Sequence, residues 1–391
     1  MPAELAALVA ERVRRQGPLP FDAVVDLALY HPVHGFYGRG RGAGRRSDFL
    51  TSPEVGPLFG TVLARAIDSW WAELGRPDPF VVVEAGAGAG ALASAVLAAG
   101  PVCGPALRYL LVERSEQLRR RTPARLRLEP PANVLGPPDE SEGDRPAGSG
   151  EGPLVASLAE LPVGPFDGVV LANELLDNLP FRLLQRSGHV WVGSGPQKRD
   201  QNVGEGRWDE VRVGEDLTEV LVPAGPDLAV DADRWAPDAP VGGRIPLQPE
   251  ATAWVRAALE CLRRGRVVVI DYADTTPNLA RRPWSEWVRT YRAHGRGGPP
   301  LANLGDQDVT CEVAVDQLGG VRRPDRDRSQ AQFLSAHGLD TLVEEGRRIW
   351  QERAAIGDLA ALAARSRVTE AAALTDPAGL GAFRVVEWEL G

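Results

Sequence analysis

The chain has 391 residues, with 44 basic and 53 acidic side chains and a net charge of −9. That balance speaks against a general nucleic-acid or anionic-membrane binder. Hydrophobic residues make up 43%, ample for a core, and the length suits about two to three domain-sized units or one large domain with insertions. Cys103, Cys261 and Cys311 are isolated, so neither a zinc site nor a disulfide framework is indicated. No apolar run reaches the ~18 residues of a membrane span, and the N-terminus lacks a secretory apolar segment. A soluble, cytoplasmic chain is expected.

Leu5, Leu8, Val9 and Val13 mark one face of a helix over residues 3–15, stopped by Gly17-Pro18. Pro20 starts a second helix, Phe21 to Tyr30. The loop His31 to Arg46 carries five glycines and is expected to be mobile without a ligand. Its His31 and His34 read as loop histidines packed on aromatics, with no matching acids or cysteines nearby for a metal. In Ser47-Asp48-Phe49-Leu50-Thr51-Ser52-Pro53-Glu54, Thr51 or Ser52 can cap the helix Pro57 to Leu74. Phe59, Leu63, Ile67 and Trp70/Trp71 recur at helical spacing and form a core stripe.

Phe80-Val-Val-Val-Glu84 reads as a buried parallel strand. Gly86, Gly88 and Gly90 follow, then a small-residue helix from Ala91 to Ala99, ended by Gly100-Pro101. Strand, glycine turn and helix make the first unit of a nucleotide-binding α/β sheet. Gly86, Gly88 and Ala91 satisfy a dinucleotide fingerprint, but Glu84 argues against NAD. A carboxylate at the turn repels a pyrophosphate and suits a cationic, amino-bearing ligand, and Glu84-x-Gly86-x-Gly88-x-Gly90 resembles the first motif of class I S-adenosylmethionine (SAM) methyltransferases, so SAM is preferred. Arg108 to Glu113 is the second strand, and Glu113 at its tip stands where an acid hydrogen-bonds ribose hydroxyls.

Residues 129–152 are rich in Pro, Gly, Ser and acids and read as a disordered insertion. Asp167 to Ala172 is another parallel strand, running into Asn173-Glu174-Leu-Leu-Asp177. Glu174 and Asp177 are three apart, so a helical turn puts both on one face. Residues 181–223 look like antiparallel strands with polar connections at Ser187-Gly188 and Gly193 to Gly206. Residues 224–243 look irregular, and Glu250 to Arg264 helical. Arg266 to Tyr272 returns to the sheet. Residues 181–250 and 273–328 are therefore insertions, the second irregular and containing Trp284, Trp287, Tyr291 and His294. Ser329-x-x-Gln332 is a capping-box signature. Residues 348–363 read as a helix, and Phe383 to Leu390 as a late, antiparallel edge strand.

Several of these motifs together resemble the MidA-like methyltransferases, relatives of the mitochondrial complex I assembly methyltransferase. They are Leu29-Tyr30-His-Pro-x-x-Gly35-Phe36-Tyr37, Asp48-Phe-Leu-Thr-Ser-Pro-Glu54 before Phe59-Gly60, and Glu84 to Gly90. Leu111-Val-Glu113-Arg-Ser, Ala172-Asn-Glu174-x-x-Asp177-x-Leu-Pro180, Ile270-Asp271-Tyr272 and Asp308-Val-Thr310-x-x-Val313 continue the series in order. Where that family usually has Gly-Pro-Gly-Arg-Gly, this chain has Gly86-Ala87-Gly88-Ala89-Gly90.

The resemblance implies a class I SAM-methyltransferase, Rossmann-like α/β sheet. A helical N-terminal cap and lid covers 1–76, and the core spans 77–391 with the two insertions. It implies in-line methyl transfer to a protein side chain, arginine by analogy. Glu84, Gly86, Gly88, Gly90, Glu113, Asn173, Thr51, Ser52 and Pro53 are the cofactor candidates. Glu84 faces the cofactor's amino-acid end, Glu113 its ribose, and Asn173 and Glu174 border the methyl. Thr51 to Glu54, with the segment before Asp48, would fold over as a lid. Glu174, Asp177 and Glu54 are the catalytic candidates, because a planar guanidinium matches paired carboxylates. No metal is implied. The partner is an acceptor protein or small molecule, with no nucleic acid and no membrane, and a homodimer is among the allowed assemblies. Two other readings stand beside this one: a small-molecule methyltransferase, and a SAM-binding assembly chaperone with vestigial catalysis.

Overall fold

The computed structural model describes residues 2–42, 51–136, 150–188, 208–293, 295–356 and 358–391. Asp48 and the segment before it, the Gly193 to Gly206 connection, His294 and residues 137–149 lie outside the described residues. The chain forms two compact units. Residues 40–176, 254–272 and 322–391 make a sheet unit; residues 1–39, 177–253 and 273–321 make an insertion unit. This cuts the chain differently from a division at 76/77, because the first 39 residues cluster with the insertions.

The sheet unit holds seven strands: β1 (Phe80–Ala85), β2 (Leu107–Val112), β3 (Leu154–Leu158), β4 (Phe166–Asn173), β5 (Leu262–Asp271), β6 (Arg326–Ser329) and β7 (Arg384–Leu390). Their order is β3-β2-β1-β4-β5-β7-β6. Strands β1 to β5 are parallel, and β7 runs antiparallel to both β5 and β6. The apolar runs in β1, β2, β4 and β5 are the mark of strands covered on both faces. Strand β7 is not an edge: β6, a short Arg-Asp-Arg-Ser segment, pairs outside it. A short, charged strand is a safe edge because it offers little for another chain to pair with.

Three elements here differ from the sequence reading. The helix before β5 is Pro249–Glu260, and β5 begins at Leu262 with a register irregularity before Arg264. Arg263 and Arg264 both bind Asp167 of β4, which fixes this stretch on the sheet. Strand β3, between Pro153 and Pro162, has no counterpart in the sequence reading. The helix expected over 348–363 is a hairpin.

Helix α1 is Pro57–Glu73 and α2 is Ala91–Ala98; the hairpin consists of α3 (Leu339–Arg353) and α4 (Leu359–Leu374). Asp358 starts α4 anew, accepting a hydrogen bond from the Ala361 N–H at 2.9 Å. The Ser329–Gln332 capping box is present. One core joins α1, the sheet and the hairpin through Phe59, Ile67, Trp70, Val82, Ile270, Phe333 and Leu342. A side chain at Gly60 would run into Ala95 of α2, so glycine there sets how closely α1 approaches.

The insertion unit has an antiparallel sheet ordered Leu19–Pro20, Trp208–Val213, Arg182–Arg186, Arg244–Leu247, with Glu219–Pro223 on Trp208–Val213. Residues 224–243 are not wholly irregular. Pro226–Trp235 is a helix because Ala232, Leu228 and Trp235 share a face and cover Trp208 and Ile245. The second insertion carries a three-stranded sheet, Val288–Arg292, Gly295–Arg296 and Asp308–Cys311.

Candidate active site

Strand β1 leads outward to β2 and β3, and β4 leads the other way to β5. The strand order therefore reverses between β1 and β4, and open α/β sheets bind ligands beyond the carboxyl ends of the strands at such a point. The glycine turn and Asn173-Glu174 stand at those two ends. Gly86, Gly88 and Gly90 have φ of 70°, 55° and 77°, a left-handed conformation that favours glycine. A Cβ on Gly86 would lie 2.9 Å from Leu175 Cδ1, whereas one on Gly88 would meet nothing within 4 Å. Space is open in front of Gly88.

Glu113 borders that turn. Its Oε2 accepts from the Gly88 N–H at 2.9 Å and its Oε1 from the Ser115 N–H at 2.7 Å. Burial pushes its carboxyl above the ordinary range, against the pull of those two bonds.

Glu84 is placed differently from the expectation. It is 4% exposed, accepting from Tyr109 Oη at 2.7 Å and from the Ala93 backbone. Its carboxylate is thus turned into the layer under α2, towards the helix start, and not onto a ligand's amino-acid end. Burial pushes its pKa up to about 8. The N–H groups of Ala87, Gly88, Gly90 and Ala93 all have protein partners. A turn so occupied is poorly suited to a pyrophosphate, which needs such donors free.

At the end of β4, the Glu174 N–H continues the pairing to Ile270 O at 2.8 Å. The backbone then turns left-handed, with φ of 52° at Glu174, and Leu176–Asn178 is a 3-10 turn. Residues 174–177 are therefore not one helical turn, which removes the argument that Glu174 and Asp177 share a helix face. Glu174 Oε1 accepts from the Ser52 N–H at 2.9 Å and from Asn173 Nδ2 at 3.3 Å. Asn173 Oδ1 is buried and has no hydrogen-bond partner among the described residues. Asp271, ending β5, accepts from the Leu176 and Tyr272 N–H groups, each at 3.0 Å. It holds the loop after Glu174 in place, a role the sequence reading did not give it.

Thr51 and Ser52 are buried, and Pro53 and Glu54 half-buried, on the short helix Ser52–Val55. Thr51 makes no side-chain cap. Helix α1 starts separately at Pro57, and Glu370 of α4 supplies its cap, Oε2 accepting from the Leu58 N–H at 2.9 Å. The capping group lies 312 residues away in sequence and left no local signal.

Asp177 belongs to the insertion unit. There Asp308, fully buried, accepts from Asn178 Nδ2 at 3.2 Å and from Tyr37 Oη. Tyr30 Oη donates to Asn178 O at 3.1 Å. Burial first, then the Asp177 charge, pushes Asp308 up to about 8. His31 and His34 stack on each other at 5.1 Å, and His31 Nδ1 accepts from the His34 N–H. Among the described residues no group of His, Cys, Asp and Glu is arranged to hold a metal.

Residues 62–330, more than half of the chain, match the family model described as "Putative S-adenosyl-L-methionine-dependent methyltransferase". The chain belongs to this methyltransferase family. Over 354 residues it is 25% identical to the mitochondrial protein arginine methyltransferase NDUFAF7 of Xenopus tropicalis, covering 84% of this chain and 74% of that one. It is 28% identical to the Homo sapiens protein of that name, over 49% of this chain and 45% of that one. The Drosophila melanogaster homologue is 37% identical, but across only 24% of this chain and 21% of that one. The chain thus spans less than half the length of several of the curated relatives it matches. A superfamily member from Burkholderia thailandensis, crystallised with S-adenosyl-homocysteine, superposes with a TM-score of 0.75. It is 27% identical, over 99% of this chain and 92% of that one.

The fold is therefore a class I methyltransferase sheet, the protein is a SAM-dependent methyltransferase, and SAM is its cofactor; the NAD alternative falls. The residues at the switch point fit that cofactor. The open space before Gly88 gives room for a ligand against the backbone, and the Glu113 carboxylate stands beside that turn. Asn173 Oδ1, at the end of the adjacent strand, is a buried acceptor unmatched among the described residues, whereas buried polar atoms are ordinarily paired.

Proposed function

We propose that this methyltransferase acts on a protein side-chain nitrogen, with arginine as the acceptor. One observation carries the reading: the Glu174 carboxylate stands at the switch point, on the strand next to the one that ends in the glycine turn. The relatives named protein arginine methyltransferases supply the acceptor class. SAM, when bound, supplies an electrophilic methyl group on a sulfonium.

The chain's own residues do the rest. Gly88 leaves room for the nucleoside, and Glu113 accepts from ribose hydroxyls. Glu174 orients a guanidinium by charge-assisted hydrogen bonds and takes up the proton that the nitrogen loses on methylation. Glu54, in the same compact unit, is the second acid for the fork. Asp177 is buried beside Asp308, which leaves it a structural part. Alignment and exclusion of water supply most of the rate.

A cytoplasmic place of action belongs to this reading. The three cysteines are buried thiols outside any disulfide among the described residues, as suits a reducing compartment. Among the described residues no helix is long and apolar enough to cross a membrane.

The test is to incubate the protein with methyl-labelled SAM and native lysate and to map the label by mass spectrometry. Label on protein arginine is the expected result. Label confined to small molecules, or unmodified SAM throughout, overturns the reading.

A further inference from the structure

Gln330 follows the cap residue Ser329 and is fully buried. Its amide is held at both ends. Nε2 donates to Leu374 O at 3.1 Å, and the backbone N–H donates to Phe383 O at 2.7 Å. With Nε2 committed, Oε1 is the acceptor for Ser52 Oγ at 3.1 Å. The Ser52 hydroxyl, also fully buried, is thereby fixed, and the Ser52 N–H points at Glu174 Oε1, 2.9 Å away. Glu174 needs such a tether. Its backbone is left-handed, a conformation a side-chain-bearing residue keeps only when its surroundings hold it.

We propose that Gln330 is a positioning residue for Glu174, acting through Ser52. By pinning the Ser52 hydroxyl it sets the N–H that holds the carboxylate in the crevice. The proposal rests on the reading of Glu174 as the acceptor-facing acid. Gln330 carries no charge and sits beyond the glycine motif, so nothing in its sequence context marks it.

The first measurement needs no turnover. Amide hydrogen exchange at Ser52 should quicken about tenfold in Gln330→Leu, with the β4 amides Val169 to Ala172 unchanged. Ser52→Ala removes the same bond by a smaller change and serves if Gln330→Leu does not fold. The two substitutions together should do no more than either alone. Unchanged exchange at Ser52 overturns the proposal.

The second measurement is methyl transfer. With native lysate as the source of acceptor, Gln330→Leu should lower the rate at saturating SAM about tenfold with KM for SAM unchanged, the split expected when the acid is displaced and the cofactor site is not. An unchanged rate, or a loss carried by a raised KM for SAM, shows that Gln330 acts by another route and sinks the proposal. If Glu174→Gln alone retains wild-type turnover, the reading of Glu174 fails, and the Ser52 exchange result judges the tether by itself.

Discussion

Glu84 and Glu113 follow one another at the ends of adjacent strands, and what each carboxylate meets sets its job. Glu84 meets Tyr109 Oη and the helix start, sealed from water; Glu113 meets the Gly88 N–H beside open space. Glu113→Ala should weaken S-adenosylhomocysteine binding by about 1–3 kcal/mol, the range for a lost hydrogen bond to a charged group. Titration calorimetry reads this directly, and an unchanged affinity refutes the ribose role. Glu174→Gln should leave that affinity nearly intact while abolishing transfer. Wild-type turnover by the purified variant would remove Glu174 from the catalytic set. The position of Glu113 was legible because a strand tip after a glycine turn is a local pattern. The burial of Glu84 was not, because it depends on Tyr109 of the neighbouring strand.

The glycine turn and the start of α1 show how elements are set. Gly88 is left-handed with open space before it. Gly88→Ala should therefore fold, at about 1–2 kcal/mol of backbone cost, yet lose S-adenosylhomocysteine binding because the methyl group takes the ligand's place. Retained affinity by calorimetry would show that the space is not the cofactor's. Helix α1 depends on a cap from α4. Glu370→Ala should lower stability by about 1–2 kcal/mol, seen as a lower Tm, and an unchanged Tm would show that water replaces the carboxylate there. The capping box at Ser329 was readable because both partners lie within one turn. The α1 cap was misread as Thr51 or Ser52 because those are local candidates and the true donor of the acid comes from the far end of the chain.

For the whole molecule, two buried acids tie stability to pH. Glu84 and Asp308 each rise to about 8 from ordinary values of 4.5 and 3.8. Each binds its proton more tightly folded than unfolded. Each therefore contributes stability that is full below the ordinary carboxylate range and is lost as pH rises towards about 8, at about 1.4 kcal/mol per pH unit per group. Thermal melts from pH 5 to 9 should show stability falling and levelling above 8, and Glu84→Gln or Asp308→Asn should flatten part of that slope. A slope unchanged in both variants would assign it to other groups.

The residue order by itself determined the strand–glycine–helix unit, the acid at the tip of β2 and the return of the chain to the sheet at β5, which are short-range patterns of periodicity and turn chemistry. The cofactor class came from the resemblance of the motif series to a methyltransferase family, not from the charge of Glu84, which faces Tyr109. Tertiary structure alone decided that β7 lies inside the sheet and that 1–39 cluster with the insertions. It also decided that Asp177 is buried with Asp308, and that Gln330 and Glu370 reach Ser52 and Leu58. Each of those outcomes is a pairing between residues far apart in sequence, and a buried polar group takes whatever partner the fold brings to it.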